Sequence, residues 1–383
     1  MRLKNLLTYS FIVILFITFL YLLFGEILLP ADTWGDSGYF SVYKENWDRI
    51  YENGKKEKIQ FPCKCNAKRN ETIHTDTILP DDIENDTYLC FRSAKQELEF
   101  YVDGKLRQEY STKKTRLFGK DSAVAFIFVR LDEADAGKVL SMYARTDSSY
   151  TGIFYTVYRG SQKDIWEYYI RHYGAEVLVA FLLITLGLIA IVGSLILRFR
   201  YKQKIALLYL GLGVSIASVW LLANSVFRQL FFPNLSVIND VAFCAVMLLP
   251  FPYLMYMNEI QKERYRIGYF VVEILAVIDF IVCTLLHIFE IVDYTDSINY
   301  MTVICVFTIS LIIVGMGIDI VKGYIKEYIY VGIGILGAFL SAVVQIFIYF
   351  HRTALFNGVF LAVGLLFLLF FAVISTIRDL VSL

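Results

Sequence analysis

An α-helical membrane bundle joined to an extracellular β-sandwich is the fold class this sequence predicts, on three observations. Seven long apolar runs follow one another between about residues 174 and 380. Each is about 20 residues long, enough to cross the hydrocarbon core as a helix, which satisfies its own backbone polar groups in lipid. Another apolar run, Leu6–Phe24, follows the basic start Met-Arg-Leu-Lys. Between them, residues 31–173 carry most of the charge and are rich in aromatic and β-branched residues, a composition that folds.

The totals agree. The chain is 57% hydrophobic and 19% charged, too apolar for a soluble protein, and its net charge of zero gives no footprint for nucleic acid.

Residues 1–30 are expected to be an uncleaved signal anchor, because Gly25–Pro30 is a poor cleavage site. Arg2 and Lys4 hold the N-terminus in the cytoplasm, so residues 31–173 emerge outside. Alternating apolar positions flank Asp103-Gly104, predicting a hairpin of 97–102 and 105–110. Thr87–Arg92, Ala123–Arg130, Val139–Arg145 and Gly152–Tyr158 are further strands. Trp34, Trp47 and Tyr51 fit either an early helix, Val42–Asn53, or a sheet edge. An extracellular setting permits a disulfide from Cys90 to Cys63 or Cys65, and glycosylation at Asn70 and Asn85. Cys244, Cys283 and Cys305 read as small buried hydrophobes.

The segment 161–173 leads into the membrane, and Trp166, Tyr168, Tyr169 and Tyr173 suit an interfacial aromatic belt. Trp166, Tyr169 and Tyr173 also make it the candidate transmission segment. The bundle, 174–383, is expected to hold helices at 174–198, 205–226, 238–258, 268–290, 299–322, 328–350 and 357–378. Loops on one side carry Arg198, Arg200, Lys202, Lys204, Lys262, Arg264, Arg266, Lys322 and Lys326, and Arg378 follows the last helix. The opposite loops carry Arg228, Arg352, Asp293 and Asp296. This asymmetry places the C-terminus in the cytoplasm of a multi-pass plasma-membrane protein.

Ionisable groups inside apolar runs are costly and are functional candidates. Glu176 and Asp240 lie near outer ends, where headgroups and water meet them, and His287 also lies near an outer end. Glu273 and Asp319 lie near the inner face, within reach of Arg266 or Lys322. Asp279 is near the middle of its run and is the candidate switch residue. Asn224 and Gln345 are candidate interhelical hydrogen-bonding groups, and Gly315, Gly317, Gly332, Gly334 and Gly337 allow close helix contacts. His74 and His172 are isolated; no catalytic grouping, P-loop, dinucleotide fingerprint or metal motif occurs, so no enzyme activity or cofactor is expected.

Arg198-Phe-Arg-Tyr-Lys, Leu208-Tyr-Leu-Gly-Leu-Gly, Val219-Trp-Leu-Leu-Ala-Asn-Ser225, Leu230-Phe-Phe-Pro-Asn234 and Met247-Leu-Leu-Pro-Phe-Pro-Tyr-Leu254 follow a signal-anchored β-rich domain. Together they resemble the bacterial seven-transmembrane receptors with diverse intracellular signalling modules, in particular clostridial members carrying a GGDEF diguanylate cyclase. Tyr101-Val-Asp-Gly-Lys-Leu106 resembles a hairpin of sugar-binding jelly rolls. The resemblance implies a receptor for an extracellular ligand, with a sugar as the class suggested, and a cytoplasmic signalling output that these residues do not include. A homodimer suits such a module. A membrane enzyme or transporter with a polar intramembrane site, and a non-sensing scaffold, are the rival readings.

Overall fold

A computed structural model describes residues 40–201, 206–351 and 358–381, with positions 14, 17 and 18. Apart from those three positions, the expected anchor lies outside the described residues, as do Trp34, Lys202, Lys204 and Arg352.

Twelve short strands, all paired antiparallel, occupy residues 40–160. One sheet has six strands in the order β3(Lys56–Ile59), β2(Trp47–Ile50), β5(Ile73–Ile78), β10(Val139–Arg145), β7(Glu97–Val102), β8(Lys105–Tyr110). The other has four, in the order β1(Phe40–Val42), β12(Tyr158–Gly160), β6(Thr87–Arg92), β9(Phe126–Leu131). β4(Cys63–Lys64) and β11(Ile153–Phe154) form a small separate ribbon.

Alternation decides the larger sheet. Leu98, Phe100 and Val102 point inward from β7, and Leu140, Met142 and Ala144 from β10. Leu89 and Phe91 of β6 and Ile127 and Val129 of β9 meet them from the smaller sheet, in one core with the fully buried Trp47. The hairpin lies where the sequence put it: Asp103 and Gly104 adopt φ 50° and 74°, the positive values a two-residue turn requires. Trp47 lies on β2, so the early-helix alternative gives way to strands. The expected strand 152–158 divides into β11 and β12, in different sheets.

The smaller sheet is covered on both faces. Tyr88, Cys90, Phe126, Phe128 and Tyr158 point away from the β core and pack against the first turns of a long helix. That helix, α1, runs from Gln162 to Tyr201, 40 residues. The segment 161–173 is thus the beginning of α1 and not a lead-in to a helix starting at 174. Cys90 belongs to this packing while Cys63 and Cys65 belong to the β core, and all three thiols are free, so the permitted pairing of Cys90 with either is not made.

Next come α2(Ala206–Asn224), a single turn Arg228–Phe231, α3(Leu235–Leu248), α4(Pro250–Ile260), α5(Arg266–Ile288), α6(Tyr294–Val321), α7(Ile329–His351) and α8(Val359–Val381). Pro250, at the first position of α4, breaks one expected helix into α3 and α4. Among the described residues six spans are long and apolar enough to cross a membrane: α1, α2, α3 with α4, α5, α6 and α8. The apolar part of α7 that is described is shorter, Ile329–Gln345. Large apolar side chains such as Leu178, Ile267 and Val321 stand exposed on the outside, the surface a membrane protein presents to lipid. Helices approach closely at Gly187 and Gly211, and at Gly334 against Leu368.

Candidate functional site at the junction of sheet and helices

The β domain sits on one end of the bundle, and the contact is chemically dense. Its apolar part is the aromatic set on α1. Tyr169, 2% exposed, packs on Phe126 at 4.8 Å between ring centroids. Trp166 lies over Phe128 at 5.5 Å, and Tyr168 stacks on Phe40 at 4.8 Å. Tyr169 is therefore a buried joint rather than part of an interfacial belt. Tyr173 extends the stack one turn along α1, 6.2 Å from Tyr169.

Beside this stack lies a polar junction. Phe126 begins β9, an edge strand whose unpaired main-chain groups need partners. The Gln229 amide supplies them, accepting the Phe126 N–H at 2.8 Å and donating to its carbonyl at 3.3 Å. Arg228, buried, donates to the Val124 carbonyl and to Ala223 at 3.4 Å. Burial, helped by nearby Arg92, pulls its guanidinium down to about 10.

Asp293, just before α6, accepts the N–H groups of Lys120 and Asp121 and contacts His287 Nδ1 at 3.1 Å. Burial pushes its carboxyl up, but the His287 ring and the two N–H donors outweigh burial and hold it below the ordinary value. The other imidazole nitrogen is 3.5 Å from Asp240, and the ring stacks on Tyr294 at 4.1 Å. Gly119 (φ 74°) lies against this group: a Cβ there would fall 2.1 Å from His287 Cε1.

Lys95 reaches into the bundle from the turn between β6 and β7. It donates to Thr295 at 2.6 Å and lies 4.6 Å from the Phe243 ring. Burial lowers its ammonium to about 8, against the pull of Asp121. The carboxylate of Asp121 is buried among Asp293, Lys95 and Thr295. Burial, then the negative Asp293, push Asp121 up to about 7. Arg69–Asp296 (2.7 Å) and Asn234 Nδ2 to the Thr115 carbonyl (2.9 Å) complete the rim. The cavity among these groups is about 10 Å³, room for about one water, so the arrangement is a contact and not a ligand pocket. Among the described residues no cluster of His, Cys, Asp and Glu has metal-holding geometry.

A second polar group closes the far end of the bundle. Asp319, with no exposure, accepts from Tyr328 at 2.6 Å, Tyr265 at 2.9 Å, Gln261 at 3.0 Å and Arg264 at 3.2 Å. Arg264 also pairs with Glu327 at 2.9 Å, and Lys262 joins at 3.2 Å. These two cations hold the Glu327 carboxyl below its ordinary value.

The expected positions fare differently. Asp240 and His287 meet protein in the junction, not headgroups, and Glu176 is fully buried. Asp319 pairs with a basic loop residue, Arg264, and Glu273 has no ion pair among the described residues. Asn224 bonds within its own helix, to the Trp220 carbonyl at 2.9 Å. Asp279 is half-buried, joins neither cluster, and accepts from the Cys283 thiol at 3.4 Å. Gln345 is buried, whereas nothing approaches the position of a Cβ at Gly317. Lys95, Asp121 and Gly119 were not anticipated. The legible hint was that Asp240, His287, Asp293 and Asp296 all fall on the same side of the bundle.

Comparison of the chain with known protein families, with characterised proteins and with solved structures finds no match.

Proposed function

We propose that the chain is a membrane receptor module: residues 31–173 sense an extracellular ligand and the bundle passes a rearrangement to the cytoplasmic side. One observation carries this reading. The β domain is fastened to the bundle by α1 and by a buried charged junction, so a change in the sheets alters the packing of helix ends. A ligand shifts such an arrangement by its differential affinity for two packings.

Seven spans are read by counting α7 with the six long helices. The basic loops around Arg198, Arg264 and Lys326 support a far end that lies inside the cell. Two facing antiparallel sheets suit a jelly-roll-like sensor, and a sugar is the ligand class by fold analogy alone. A cytoplasmic output such as a GGDEF cyclase, in the same chain or a partner, follows from the resemblance in sequence.

Gly119→Ala in the full chain tests the coupling, because the added methyl collides with His287 and Asp293. Hydrogen exchange is then followed around Asp319 and Tyr328. Faster exchange there, at the end remote from the substitution, is expected. Unchanged exchange at the far end, with loosening confined to residues near 119, defeats the reading.

A further inference from the structure

The spans enclose an apolar cavity of about 200 Å³. Its walls include Ala217 and Trp220 of α2, Pro250 of α4, Thr308 of α6, and Ala338 and Ala342 of α7. The Pro250 break helps to form it. Proline has no N–H, so the Val246 carbonyl loses its helical donor. The Cys305 thiol, on the cavity wall, lies 3.8 Å from that carbonyl.

The cavity has a side opening. α6 and α7 are consecutive, and among the described residues their backbones come close at few positions, with Met316 of α6 near Gly332 of α7 at the far end. Ile309 and Ile313 on α6 and Phe339 on α7 line the cavity and are themselves exposed. The gap therefore faces the surface that lipid covers.

The chemistry of the walls selects the occupant. The Thr308 hydroxyl donates to its own helix, at Ile304, 2.9 Å away. The rest of the lining is nearly all carbon, and an apolar cavity of about 150 Å³ stays dry yet takes benzene. A helix is about 10 Å across with its side chains, too thick for this space; a single hydrocarbon chain is not. We infer that the cavity is a binding site for an acyl chain of a bilayer phospholipid, admitted sideways between α6 and α7. The site rests on these contacts and not on the receptor reading.

The test uses the full chain in vesicles of phosphatidylethanolamine and phosphatidylglycerol, with a fraction of the phosphatidylglycerol carrying a diazirine on one acyl chain. After irradiation, adducts are mapped by mass spectrometry. Labelling of the inner wall, at Thr308 and Ala338, is expected beside the labelling of outer positions such as Ile267. Adducts confined to outer positions overturn the site. Ala338→Trp fills the cavity and is expected to abolish labelling at Thr308 while leaving Ile267 labelled. Undiminished labelling of Thr308 in the folded variant overturns it. If Ala338→Trp fails to fold, Ala342→Leu makes the same test with a smaller fill, and the wild-type map decides independently.

Discussion

The carboxylate of Asp293 holds the main-chain N–H of Lys120 with both oxygens, at 2.9 and 3.0 Å. One end of this bond belongs to the helical bundle and the other to the β domain. It also takes the Asp121 N–H at 2.9 Å. Replacing Asp293 with Ala leaves two part-buried donors unmet, at a cost of about 1 kcal/mol to docking. The amides of Lys120 and Asp121 are then expected to exchange faster, with Asp293→Asn intermediate because one acceptor remains. Unaltered exchange in the Ala variant would remove this contact from the junction.

Docking is expected to weaken as pH rises from about 4 to about 7. Asp121 titrates at about 7 when docked, against about 3.9 for a free Asp. The docked form therefore binds this proton more tightly. Its contribution is complete below the free value and is lost as pH rises through the docked one. Lys95, lowered to about 8, acts in a separate window: above that pH docking regains strength, because undocked Lys95 keeps its proton longer. Asp293, held low, loses its contribution only at strongly acid pH. Spin labels at Leu106 and Ile267 would report the docked fraction. Asp121→Asn should flatten the acid-side change; an unchanged profile in that variant would assign it to other groups.

At the far end, Asp319 ties the ends of α4, α5, α6 and α7 through four side chains. Removing one member of a buried charged network costs about 3 kcal/mol when partners are left unpaired. Asp319→Ala is expected to lower the unfolding temperature of the detergent-solubilised chain. Arg264→Met should cost less, because Tyr265, Gln261 and Tyr328 still satisfy the carboxylate. Equal effects of the two would argue against this ranking.

The spans, the hairpin at Asp103-Gly104 and strands such as Val139–Arg145 were legible because each follows from a local period or a turn preference. The junction was not. Arg228, Asp293 and Asp296 served as markers of loop charge, and that use says nothing about what a loop touches. Nothing in the local sequence singles out Lys95 or Asp121 within a charged domain. One signal stood in plain view: Ala123-Val-Ala-Phe-Ile-Phe-Val129 is continuously apolar where a half-exposed strand would alternate, the mark of a strand covered on both faces.

By itself the sequence determined the division into a charged β-rich part and apolar helices, since alternation and apolar length are properties of adjacent residues. The tertiary structure decided that the smaller sheet is sandwiched between the larger sheet and α1, which turns Trp166 and Tyr169 into a joint. It also decided which charges are paired. Asp293 and Lys120 lie 173 positions apart, and only the docking of one domain on the other brings donor and acceptor within bonding distance, where burial makes the bond costly to lose.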